Sequence, residues 1–128
     1  MNSLARPARP KHLNLLVIRL PLPGFVSILH RVSGVLLALC IPLYIHLLQV
    51  SLDGPAGFAR AKAMLASLPG KLLVFLLAWS LAHHLLAGIR YLLIDFDHGV
   101  SKAQARASAG MALAGGVLLA LMALGLLA

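Results

Sequence analysis

An all-α integral membrane domain with three spans is the fold class this sequence predicts, and three observations predict it. Of the 128 residues, 61% are hydrophobic and only 11% charged, whereas a soluble domain is about a quarter charged. So little polar surface cannot cover a water-exposed shell. Three runs, residues 32–52, 72–89 and 107–128, contain no Asp, Glu, Lys or Arg, and a helix crosses a bilayer with about 20 apolar residues. The basic residues gather around the ends of those runs. One domain suits this length.

Taken in chain order, residues 1–24 read as a cytoplasmic tail and an interfacial segment. The apolar stretch 13–20 is too short to span and contains Asn14 and Arg19. It then meets Pro21, Pro23 and Gly24, which redirect the chain, with no small-x-small cleavage site. The first span is therefore expected to be retained. Residues 25–128 form the three-helix membrane domain. Its first span covers about 25–52, with a kink expected at Pro42. The loop "DGPAGFARAKAMLASLPG" has the composition for a short surface helix. The second span covers about 71–95, and a polar link (96–106) leads to the third, about 107–128. There, Gly110, Ala112, Gly115 and Gly116 suit close helix packing.

The net charge of +8 follows the membrane rather than a nucleic acid. Arg6, Arg9, Lys11 and Arg19 precede the first span, and Lys102 and Arg106 precede the third. Only Arg60, Lys62 and Lys71 occupy the intervening loop. Six against three places the N-terminus and the second loop in the cytoplasm. Cys40 is the one cysteine, so an internal disulfide is excluded; it reads as a small core residue. C-x-x-C-H is absent, which excludes covalent c-type haem. With three acidic residues in all, and no H-E-x-x-H, phosphate loop or nucleophile elbow, a self-contained hydrolase is disfavoured.

Two polar clusters intrude on the spans. Ser27, His30, Arg31 and Gly34 fall at i, i+3, i+4 and i+7 and share one helical face. Arg at the centre of a span costs at least about 2.5–3.5 kcal/mol, and such residues usually face protein, a cavity or a ligand. Arg31 alone can snorkel to the headgroups; that account does not extend to the whole face, which suits an anionic or carbonyl-bearing ligand. His84, Gly88, Tyr91 and Asp95 share a face of the second span. His84 can serve as an axial haem ligand, with Gly88 leaving room for a flat macrocycle, or as a hydrogen-bonding partner of a neighbouring helix. His83, about 100° away, is the rival ligand. Arg90 and Asp95 return to the level of Ser27 and Arg31, so the two clusters can line one site. His46, Tyr44 and Trp79 read as packing or anchoring residues, and His12 and His98 as solvated.

The segments "RPKHLNL" (9–15), "SILHRVSG" (27–34) and "HLLAGIRYLLIDF" (84–96) resemble the cytochrome b membrane-anchor subunit of succinate dehydrogenase, the larger anchor of bacterial respiratory complex II. The resemblance covers almost the whole chain. It implies three helices packed with a small partner anchor around a shared haem b, whose axial ligand from this chain is His84. Ser27 and Arg31 match ubiquinone-site residues, and His30 and Arg31 match groups near the haem propionates. It further implies the iron–sulfur and flavoprotein subunits as partners, ubiquinone and membrane lipid as small-molecule contacts, and the bacterial inner membrane as location. Three positions depart from the pattern: Tyr91 where His or Phe is usual, Ile94 in place of an aromatic, and Asp97 where a small residue is expected. The competing readings are a haem-free structural anchor or assembly scaffold and a haem-b subunit of another membrane dehydrogenase. A transporter fits less well, since no broken, repeated half-helices appear.

Overall fold

The computed structural model describes residues 19–126. Among these the chain forms five helices: α1 (Leu22–Leu39), α2 (Ile41–Leu52), α3 (Gly54–Ala66), α4 (Leu68–Asp95) and α5 (Lys102–Gly125). Most of the predicted interfacial stretch, residues 13–18, and the basic residues Arg6, Arg9 and Lys11 lie outside the described residues, as does His12. Helices α1, α4 and α5 are long and apolar enough to cross a membrane, and α2 is a shorter apolar helix that follows α1 directly.

The helices begin earlier than hydropathy alone implies. The first starts at Leu22 rather than near residue 25, because Pro21 serves as its N-cap and Pro23 lies in its first turn. Proline is tolerated there, where its missing N–H would have no partner. Likewise α4 starts at Leu68: the Ser67 hydroxyl accepts the Gly70 N–H at 3.2 Å, with Pro69 in the first turn. Ser101 caps α5 by accepting from Gln104 N–H at 3.4 Å, which draws Lys102 and Arg106 into the helix. The kink expected at Pro42 is present as the break at Cys40 between α1 and α2. Pro42 has no N–H to give the Ala38 carbonyl, while Cys40 N–H still reaches the Leu36 carbonyl and Tyr44 N–H the Cys40 carbonyl, each at 3.0 Å.

α4 packs against both α1 and α5. Val26, Ala87 and Ala109, one from each helix, form a buried cluster flanked by Leu22, Tyr91 and Leu113. On α5 the buried positions are Ala109, Ala112, Gly116 and Ala120; small residues there bring the backbones close. A Cβ on Gly116 would stand 3.1 Å from His83 Cβ. Arg90 ties the same pair of helices, donating from Nε to Ser108 Oγ at 2.9 Å and from Nη2 to the Ala105 carbonyl at 3.3 Å. The outer faces carry exposed leucines such as Leu39, Leu81, Leu92 and Leu118, the reverse of a soluble bundle.

Candidate functional site

The two polar faces meet where α1 crosses α4. The imidazoles of His30 and His84 stack with centroids 4.1 Å apart and planes 10° apart, and Tyr91 presents its ring edge-on to His30 at 5.3 Å. Gly34 makes the approach possible, and Gly88 flanks it. A Cβ on Gly34 would lie 2.7 Å from His84 Cε1 and 3.2 Å from Nδ1, too close for any side chain. A Cβ on Gly88 would face His30 Nε2 at 3.6 Å. The space beside Gly88, which the sequence suggested for a macrocycle, therefore adjoins the His30 ring.

One hydrogen bond sets the chemistry of His84. Its Nδ1 lies 2.9 Å from the His30 carbonyl oxygen. A carbonyl only accepts, so Nδ1 carries the proton and donates it. The other nitrogen, Nε2, then bears a lone pair. It makes no hydrogen bond to the described residues and is not among the buried orphaned polar atoms, so it is not sealed off within the helix pair. An imidazole that donates one N–H to a backbone carbonyl and offers the other nitrogen is the usual form of a metal-binding histidine. Ser33, wholly buried, donates its hydroxyl to the same carbonyl at 2.9 Å and stands 3.3 Å from Nδ1.

His83 has a different environment. It is fully buried, its ring stacks on Trp79 at 5.3 Å, and its ring nitrogens have no outward access; the backbone carbonyls of Ala112 and Val26 approach them without making a well-formed hydrogen bond. It faces α5 and the interior of this chain.

Of the other residues singled out in the sequence, Ser27 is half-buried and Arg31 exposed, on the same turn-to-turn face as His30. Asp95 is exposed, and so is His46 on α2, away from the His30–His84 pair. Arg90 departs from expectation: its side chain is buried against α5 and its guanidinium lies 5.3 Å over the Tyr91 ring, so it does not join the face of Ser27 and Arg31. Sequence reasoning gave Ser33 no role. Its i+3 spacing from His30, inside the quoted "SILHRVSG", was the available signal.

These observations define a multi-pass helical membrane protein with an oriented imidazole between its first and second long spans. The family described as succinate dehydrogenase/fumarate reductase transmembrane subunit matches residues 5–123, and the chain belongs to it. Among its relatives is a protein named succinate dehydrogenase cytochrome b556 subunit from Paracoccus denitrificans. It is 36% identical over 124 residues, covering 97% of this chain and 95% of that one. A protein of the same name from Coxiella burnetii is 34% identical over 102 residues, covering 79% of this chain and 82% of its own length.

Proposed function

We propose that this chain is the cytochrome b anchor of a succinate:ubiquinone oxidoreductase, holding haem b with a partner anchor and helping to form the ubiquinone-reduction site. The observation that carries the reading is the state of His84: Nδ1–H committed to the His30 carbonyl at 2.9 Å, with Nε2 unpaired and accessible. The residues present fit haem on that ground. Haem b, when bound, supplies a one-electron acceptor and donor inside the membrane.

His84 would hold the haem iron through Nε2, with a residue of the small anchor subunit completing the site. The His30 carbonyl and the notch at Gly34 hold the His84 ring in one rotation. Arg31, exposed one residue beyond His30, offers a cation to the propionates or to a quinone oxygen; the five N–H donors of its guanidinium suit either. Ser27, one turn earlier on that face, adds a hydroxyl donor. Charge builds on a quinone carbonyl oxygen as electrons arrive, so donors fixed beforehand lower the barrier. Electrons reach this site from the flavoprotein through the iron–sulfur subunit, so the chain acts as a non-catalytic-alone subunit. It lies in the bacterial inner membrane with its N-terminus in the cytoplasm, the side on which the excess of basic residues outside the spans falls. The domain division at residue 25 belongs to the same proposal.

His84→Ala in the assembled complex is expected to abolish the b-type absorption bands, and an unchanged spectrum with full haem would rule the ligand out. Arg31→Ala and Ser27→Ala are expected to slow quinone reduction about tenfold or more, the effect of removing a positioned donor, while succinate oxidation by a soluble dye persists. Equal loss of both activities would assign these residues to assembly instead.

A further inference from the structure

Ser33 sits at the centre of the α1–α4 contact, and the reading above leaves it without a role. A helical serine often does no more than return its hydroxyl to its own backbone. Here the carbonyl it chooses, that of His30, is the one that orients His84. The Ser33 hydroxyl and the His84 Nδ1–H both approach that oxygen at 2.9 Å, and Ser33 Oγ itself lies 3.3 Å from Nδ1. The hydroxyl is withdrawn from the surroundings, since Ser33 is 0% exposed. The Gly34 backbone closes the adjacent side of the ring, leaving no space even for a methyl group.

We infer that Ser33 is a positioning residue for His84: by sharing the His30 carbonyl with the imidazole, it sets the rotation of the ring and the electron density the ring can pass to a bound iron. A carbonyl oxygen accepts two donors through two lone pairs, but both draw on the same electron density. The His84 N–H bond is therefore weaker than it would be to an unshared carbonyl. A weaker bond at Nδ1 leaves the imidazole a poorer electron donor at Nε2, and second-shell bonds of this kind tune both ligand basicity and haem potential. The inference rests on His84 being the haem ligand, and it adds a residue that holds the ligand without touching the haem.

The test uses the intact complex with Ser33→Ala and Ser33→Thr, read by haem content, electron paramagnetic resonance of the ferric haem and redox titration. Ser33→Ala is expected to retain haem, to shift the highest g value as the imidazole plane turns, and to lower the midpoint potential because the unshared carbonyl makes His84 more electron-donating. Ser33→Thr, which keeps the hydroxyl, is expected to return both readings toward those of the unaltered complex. If Ser33→Ala fails to assemble, Ser33→Cys, similar in shape but a weak donor, is expected to move both in the same direction. A haem-replete Ser33→Ala complex with unchanged g values and an unchanged or raised midpoint would overturn the inference and leave the ligand assignment standing. An unaltered complex without b-type haem would remove the functional reading itself, and this inference with it.

Discussion

His83 and His84 are neighbours in the chain with opposite surroundings. Successive helical residues point about 100° apart, so when α4 docks between α1 and α5 one imidazole turns to each. His83 goes to the α5 side, where Gly116 leaves room for it and both of its nitrogens are buried. His84 goes to the α1 side, where a carbonyl fixes its proton and one nitrogen remains reachable. His83→Leu is therefore expected to keep the b-type spectrum of the complex. Visible spectroscopy of the purified variant decides the point: loss of the haem bands there, with the bands of His84→Ala intact, would exchange the two roles.

The ends of the helices account for one of the departures from the family pattern. α4 ends in a Schellman arrangement, with Asp97 N–H on the Ile94 carbonyl and His98 N–H on the Leu93 carbonyl, both at 2.9 Å. Such an ending places the residue after the cap in the left-handed region, and Asp97 has φ +60°. A residue with a Cβ is less stable there than glycine by about 1 kcal/mol. The small residue expected from the resemblance and the aspartate present thus answer to the same backbone. Asp97→Gly is expected to stabilise the α4–α5 connection by about 1 kcal/mol, seen as a higher Tm of the detergent-solubilised complex. A lower Tm would show that the carboxylate makes a contact worth more than the backbone strain.

Among the described residues, the long helices turn many large apolar side chains outward and bury several polar ones at their contacts. Arg90, Ser33 and His83 are buried, while leucines cover the outer faces. This inversion needs hydrocarbon or a partner helix around it, since a face of exposed leucine in water would associate. The two connections, α3 and residues 96–101, then belong on opposite sides of the bilayer. With Cys40 replaced by Ala, Lys62→Cys and Val100→Cys are expected to react with a membrane-impermeant thiol reagent from opposite faces, position 100 from the cytoplasm. Labelling of both from one face would rule out the topology.

Three spans, their order and the two polar faces were legible in the sequence. They depend on composition and local period, which each segment carries by itself: a run of leucine and alanine is apolar wherever it packs, and Ser27, His30, Arg31 and Gly34 share a face in any helix. The motifs within those faces carried the family as well. Tertiary structure decided which neighbour each polar group meets. Arg90 turned to Ser108 on α5 rather than to the face of Arg31, and Ser33 became the partner of an oriented histidine 51 residues away. The angle between helices and the notches at Gly34 and Gly116 settle those pairings. Both arise only when the helices pack, because a hydrogen bond across a helix contact depends on the backbone positions of two segments at once, and neither segment encodes the other's.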